Sequence, residues 1–91
     1  GMYPSLDRTG PTPIYLQIKE WMRQQITTGA WPKSFKLRPE VDLAGDLEVS
    51  RGTVRKAIEE LTEEGLVTSV ERWDRGYPVP HVAVLGRRRR D

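Results

Sequence analysis

The stretch DLAGDLEVSRGTVRKAIEELTEEGLV, Asp42 to Val67, carries two helical patterns separated by a short turn. Ser50 stands immediately before the second pattern, where its hydroxyl can accept a hydrogen bond from an otherwise unpaired amide of the first helical turn, so it is the predicted N-cap. Val54, Ala57, Ile58 and Leu61 then recur at i, i+3, i+4 and i+7. That spacing puts them on one buried stripe and turns Gly52, Arg55, Lys56 and Glu59 outward. Gly65 ends the helix. Upstream, Val41, Leu43, Ala44 and Leu47 mark a shorter helix, and Leu47-Glu48-Val49-Ser50 leaves only a tight turn between the two. This is the spacing of a helix-turn-helix.

The arrangement suits DNA for a geometric reason. A helix of about 10–12 Å diameter fits a major groove about 12 Å wide, and its N-terminal residues reach the base edges. Arg51, Thr53 and Arg55 stand there. Arginine can donate a bidentate pair to guanine, and threonine can hydrogen-bond a base or touch a thymine methyl; the amide-rich helix start favours a nearby phosphate. The plain alternative is a solvated helix start with ordinary surface arginines. Ser-Arg-x-Thr-Val-Arg directly after a short helix and turn favours DNA contact over it.

Taken together, these and other residues resemble the N-terminal domain of the GntR family of bacterial transcription regulators, from about Pro13 to Val79. The similarity is carried by Ile14-Tyr15-Leu16-Gln17-Ile18, Thr28-Gly29-Ala30-Trp31-Pro32, Leu37 with Glu40, and Leu43-Ala44. It continues through Val49-Ser50-Arg51, Thr53-Val54-Arg55, Ala57, Leu61 and Glu64-Gly65-Leu66-Val67. The resemblance implies a mainly α fold with a small β-hairpin, the winged helix-turn-helix of three helices plus wing. It further implies a sequence-specific transcriptional regulator that binds double-stranded DNA as a homodimer, with the third helix in the major groove and the wing on the flanking DNA. The DNA-binding set expected on this chain is Arg38, Ser50, Arg51, Gly52, Thr53, Arg55, Lys56, Arg72 and Arg75.

Several positions depart from the family pattern. Lys33-Ser34 replaces a glycine, and Leu37-Arg38-Pro39-Glu40-Val41 stands where Leu-Pro-Ser-Glu-Arg is usual. A DNA-contacting arginine is thus replaced by Val41 and a capping serine by Pro39; Arg38 is the candidate for the missing cation. Glu48 replaces the turn glycine and would be strained if the backbone there is left-handed. Gly45 inside the second helix costs about 1 kcal/mol relative to alanine. Gly52, often threonine in relatives, removes one polar contact and lets the backbone approach a phosphate. In the wing, Val70-Glu71-Arg72-Trp73 takes the place of glycines.

At 91 residues, 36% hydrophobic and 31% charged, the chain has room for one small core and not for an enzyme's deep cleft. It lacks cysteine, and its single histidine, His81, has no partners for a zinc or catalytic cluster, so no catalytic, cofactor-binding or metal residues are expected. No long apolar run and no basic-then-apolar leader is present, so neither a membrane span nor a signal peptide is expected, and cytoplasmic residence follows. The formal charge of +2 rests on Arg87-Arg88-Arg89-Arg90: without residues 87–91 there are 11 Lys+Arg against 12 Asp+Glu, or −1. A DNA footprint must then come from segregation, with Arg51, Arg55, Lys56, Arg72 and Arg75 on one side and Glu59, Glu60, Glu63 and Glu64 as a solvated face away from the duplex.

Three segments are expected: a flexible N-terminal arm over residues 1–11, the winged helix over 12–79, and a basic tail or linker stub over 80–91. Thr12 should cap a helix that has Pro13 at its first position, a buried stripe of Ile14, Ile18, Trp21, Met22, Gln25 and Ile26, and a stop at Gly29. Trp31 should pack under the following loop, and Phe35 to Leu37 should form a very short strand. Leu66 to Glu71 and Tyr77 to Val79 should pair across a tip of Arg72 to Gly76, with Pro78 on an edge and Trp73 packing or meeting a partner chain. In the tail, Val82 and Val84 could add a strand to a second chain, and the arginine run could track phosphates or remain solvated charge. No effector-binding domain is expected within this chain, which reads either as a DNA-binding fragment or as a minimal protein. The competing functional class is a winged helix used as a protein-protein interaction module.

Overall fold

A computed structural model describes residues 3–86. Helices α1 (Ile14–Thr27), α2 (Glu40–Leu47) and α3 (Arg51–Glu63) precede an antiparallel hairpin of β1 (Val67–Asp74) and β2 (Tyr77–Val84). This is the winged helix-turn-helix order that the sequence predicts.

Helix α1 buries Ile18, Met22 and Ile26, one residue per turn, while Ile14 and Trp21 pack at the margin of the same core. Its start differs from the expected one. Pro13 itself occupies the cap position, with φ −55° and ψ 144° and no side-chain cap, and its carbonyl accepts from the amides of Leu16 and Gln17. The extended ψ at Pro13 delays the helix by one residue. Thr12 offers its carbonyl instead, to Gln17 Nε2 at 2.9 Å. Gly29, at φ +86°, stops the helix in a left-handed turn open to glycine without strain. Trp31 packs as expected, edge-on to Trp21 and stacked on Phe35.

Helix α2 buries Leu43, Ala44 and Leu47. Val41, expected on the same stripe, is 54% exposed, because two residues before Leu43 lies on the opposite side of a 3.6-residue turn. Glu48 closes the helix at φ 57° and ψ 51°, the left-handed conformation a turn glycine would take freely. Helix α3 follows the predicted pattern: Ser50 Oγ accepts from the Thr53 amide at 3.1 Å, and Val54, Ala57, Ile58 and Leu61 are buried. These side chains and the α1 stripe form one core, closed below by Leu37, Leu66, Val67 and Val84.

The hairpin is longer than expected. Its ladder runs from Val67↔Val84 to Asp74↔Tyr77, so Arg72, Trp73 and Asp74 belong to β1 and only Arg75 and Gly76 turn the chain. Both turn residues have positive φ, 55° and 84°, the two-residue geometry that matches strand twist. The ladder also continues past Val79 through Val84, so residues 80–84 are not tail but wing, with Ala83 and Val84 buried at its base. Val82 and Val84 thus pair within their own chain. The outer edge of β2 is taken by the segment after α1: Leu37 N–H donates to the Val82 carbonyl and Val84 N–H to the Phe35 carbonyl, both at 2.9 Å. By parity, Pro78 and Pro80 place their missing N–H groups on that same outer edge, away from the β1 ladder. The expected strand at Phe35 to Leu37 reduces to a single bridge, Lys36↔Ala83.

The described residues of the arm, from Tyr3 onward, lie against the helices and make specific contacts there. Gln17 holds it from both sides, accepting from the Asp7 amide and donating to the Asp7 carbonyl, each at 2.8 Å. The amides of Thr9 and Gly10 donate to the Asp7 carboxylate and hold it below its ordinary pKa. Arg8 donates to the carbonyls of Leu47 at 2.7 Å and Glu48 at 2.9 Å, satisfying acceptors that the end of α2 leaves unpaired. Tyr3 packs on Trp21 and donates to Asp46 at 2.5 Å. The arginine run, Arg87 to Arg90, lies outside the described residues.

Candidate nucleic-acid interface

With its apolar stripe sealed in the core, α3 presents its opposite side at the N-terminal end. Arg51 and Arg55 project there, their side chains 61% and 53% exposed. Between them lies Gly52, whose Cβ position is open apart from Ser50 Oγ at 3.9 Å. Thr53 is half-buried and its hydroxyl lies 2.9 Å from Ser50 Oγ, so the capping serine also orients the threonine. Lys56 is turned toward α1, with Nζ 4.4 Å from the centroid of the Tyr15 ring.

One carboxylate organises this surface, and sequence reasoning assigned it no such role. Glu40, the first residue of α2, receives Arg55 in a two-pronged pair, Nη2 to Oε1 at 2.7 Å and Nε to Oε2 at 3.3 Å. The hydrogen bond to Glu40 raises the Arg55 pKa above its ordinary value. The same Oε1 stands 3.7 Å from Arg51 Nε. The available signal was an acidic residue at the start of the first helix of the motif, on the side the second helix crosses.

Arg38 does not join this group. Its Nε lies 3.0 Å from Asp46 and its Nη2 4.0 Å from Asp42, so it pairs along α2 and not with Glu40, although it lines the same cleft as Arg51. Arg72 and Arg75 lie on the wing, and among the described residues no ion pair forms at either. Trp73 is 70% exposed, so it does not pack on its own core. The base of the wing and the start of the helix-turn-helix line one cleft of about 380 Å³, with Glu40, Val41 and Arg51 on one wall and Val79, Pro80 and Val82 on the other.

The glutamates at the far end of α3 are not all a solvated face. Lys19 Nζ is 2.7 Å from both Glu60 and Glu64, and Arg23 Nη1 is 2.6 Å from Glu64. Arg23 first, and then Lys19, pull the Glu64 carboxyl from 4.5 down to about 2. These pairs bind α3 to α1 and consume negative charge on the side away from Arg51. Among the described residues no group of His, Asp and Glu could hold a metal ion, and no helix is long and apolar enough to cross a membrane.

Comparison with known proteins places this geometry. The family described as bacterial regulatory proteins, gntR family, matches residues 14–73. Over 62 residues, 68% of the chain, it is 37% identical to a histidine utilization repressor of Pseudomonas putida, of which that match covers 25%. A similar stretch is 40% identical to the HTH-type transcriptional regulator SmoD of Agrobacterium fabrum and covers 26% of it. The chain therefore spans about a quarter of the length of these curated relatives. Among solved structures, it superposes on YtrA from Sulfolobus acidocaldarius, a GntR-family transcription factor, with a TM-score of 0.74 and 28% identity, covering 91% of this chain and 80% of that one. It also superposes on AraR(DBD) in complex with operator ORR3, with a TM-score of 0.64 and 35% identity, covering 75% and 82%. By sequence and by fold alike, the chain belongs to the GntR family of bacterial regulatory proteins.

Proposed function

We propose that this domain binds double-stranded DNA sequence-specifically in transcription control, with α3 in the major groove and the wing on flanking DNA. One observation carries the reading. The side of α3 opposite the core presents Arg51, Gly52 and Arg55 at the helix's amide-rich N-terminal end, where a helix in the groove meets base edges. Arg51, Thr53 and Arg55 read bases, Ser50 positions Thr53, and Gly52 admits a phosphate to the helix start. Lys56, Arg38, Arg72 and Arg75 contact the backbone. Two copies bind together as a homodimer, one on each half-site, the arrangement by which helix-turn-helix dimers meet a symmetric operator. The compartment of action is the cytoplasm.

Selecting bound duplexes from a random pool tests this directly. An enriched motif is expected, and Arg51→Ala or Arg55→Ala should weaken binding to it by about 1–3 kcal/mol each while relaxing preference at one operator position. No enrichment, or wild-type affinity in both variants, would overturn the DNA reading and leave the winged helix as a protein-interaction module.

A further inference from the structure

We infer that the wing of this chain is a minor-groove wedge: Trp73, backed by Pro78, enters between base pairs beside the site read by α3 and kinks the duplex there. The inference rests on the reading of α3 as the helix in the major groove. Trp73 is 70% exposed, and among the described residues no ring contact or side-chain hydrogen bond forms at its indole. With Tyr77 at 72% and Val79 at 42%, it makes the end of the hairpin an exposed apolar cluster, the kind of surface that marks a contact site. Trp73 stands opposite Pro78, and the next pair, Asp74↔Tyr77, closes the two-residue turn at Arg75 and Gly76. A closing pair of this kind exchanges hydrogen bonds, so Trp73↔Pro78 is a non-hydrogen-bonded pair, the closer of the two kinds, with Cα atoms about 4.5 Å apart. Indole and pyrrolidine therefore stand side by side on one face of the tip.

The position of that face says what covers it. By strand alternation Trp73 and Pro78 share the side of Ser69, Pro80 and Val82, and those three line the cleft whose other wall holds Arg51. The apolar stripe thus leaves the cleft beside the start of α3 and ends at Trp73. Strand β1 is buried at Val67 alone, and the steps from there to Trp73, at about 3.3 Å each, carry the indole about 20 Å outward. Half a turn of DNA is about 17 Å, so a wing rooted beside a helix in the major groove reaches the next minor groove. That groove is about 6 Å wide, too narrow for two paired strands and open to single side chains. Charge alone does not hold the tip there, because Glu71 and Asp74 balance Arg72 and Arg75. Apolar insertion remains, and apolar side chains that part a base step bend the duplex by about 20–90°. A second chain cannot add a strand at the outer edge of β2, where Pro78 and Pro80 offer no amide. The match to the gntR family ends at residue 73, so the turn and the proline half of the wedge lie outside the pattern shared with that family.

Trp73→Ala and Trp73→Phe in the whole chain test this, because the side chain is exposed and its loss leaves the core intact. The probe is the duplex selected from the random pool, labelled at both ends for energy transfer and carrying 2-aminopurine at successive positions of the flank. Wild type should bend it by about 20–90° and raise the 2-aminopurine fluorescence at one step. Pyrimidine–purine steps part most readily, so a TA step placed there should be bound roughly three- to tenfold more tightly than a stiff A-tract. Trp73→Ala should lose the bend, the fluorescence and the flank preference together, at an unchanged melting temperature and with the same motif selected under α3. Trp73→Phe should keep all three. Replacing Arg72 and Arg75 by alanine should flatten the salt slope and leave the bend in place. A bend that survives Trp73→Ala overturns the inference, as does a Trp73→Ala protein that changes only self-association without DNA, which would seat a second copy on the indole. A wild type that selects a motif on a straight, fully stacked duplex removes the wedge alone, whereas one that selects no motif removes the reading of α3 beneath it.

Discussion

Replacing Glu64 by glutamine opens the seam between α1 and α3 without emptying the core. In the wild type its two oxygens sit 2.6 Å from Arg23 Nη1 and 2.7 Å from Lys19 Nζ, and the carboxyl is lowered from 4.5 to about 2, chiefly by the Arg23 hydrogen bond. A shift of that size corresponds to about 3 kcal/mol at 1.36 kcal/mol per unit. The side chain is 32% exposed, so solvent screening reduces the useful part to ~1–2 kcal/mol. The sign is that of a depressed carboxylate. The folded state binds the proton less readily than the unfolded one, so the stabilisation is complete above about 4.5 and drains away as pH falls through about 2. Urea unfolding of wild type and Glu64→Gln at neutral pH and at steps down to pH 2 reads it out. Wild type should lead by ~1–2 kcal/mol at neutral pH, and the lead should close over that acid window. Other carboxylates titrate in both proteins and cancel in the difference. A gap that is the same at both ends would show that Glu64 acts by packing alone and that the ionic account of the seam is wrong.

Three further outcomes follow from the fold. Leu61 is fully buried where α3 meets α1, so Leu61→Ala should lower stability by about 2–5 kcal/mol in thermal or urea melts; an unchanged melting temperature would mean that the buried face of α3 is misassigned. Glu48 holds φ 57° with its side chain exposed, so Glu48→Gly should raise stability by ~0.5–1 kcal/mol, the relief of left-handed strain less the entropy of a glycine. Arg8→Ala removes the donors to the Leu47 and Glu48 carbonyls and should cost about 1 kcal/mol, with faster amide exchange at the arm; no change in either readout would return the arm to a mobile segment.

What the sequence discloses and what it hides divide along the range of the interaction. Ser50, the α3 stripe, the stop at Gly65 and the left-handed residue at Glu48 are settled within a few residues of themselves, by capping, by helical period and by the need to turn. The wing's length is not. Whether Arg72, Trp73 and Asp74 stay in the ladder depends on Arg75 and Gly76 both accepting positive φ, and whether β2 runs on to Val84 depends on the segment at Phe35 to Leu37 covering its other edge. The arm reads as mobile from its glycines and prolines, yet Tyr3 and Arg8 reach partners about 40 residues away, and no local pattern announces such contacts. Glu40 belongs to the same class: it meets Arg55 across 15 residues and a turn, so its role emerges only when α2 and α3 are set at their angle.

The distribution of charge joins these parts into one electrostatic argument. Without residues 87–91 the chain carries −1, which is poor footing for a protein that must approach a polyanion. Several of the anions, however, are engaged internally: Glu60 and Glu64 on the cations of α1, Asp42 and Asp46 on Arg38, and Glu40 on Arg51 and Arg55. Pairing of this kind shortens the reach of each negative charge to the scale of its own hydrogen bonds. The α1–α3 seam gathers two glutamates at the end of α3 remote from Arg51, so the helix carries its acidic pole away from the proposed groove and its cationic pole into it. At that cationic pole Arg51 and Arg55 share the one carboxylate of Glu40. A body balanced in this way gains little from indiscriminate phosphate contact, and in the proposed complex it must draw its affinity from fitted base contacts and the wing arginines. If the four arginines at positions 87–90 supply non-specific attraction, deleting residues 87–91 should flatten the salt slope on specific and random duplexes alike.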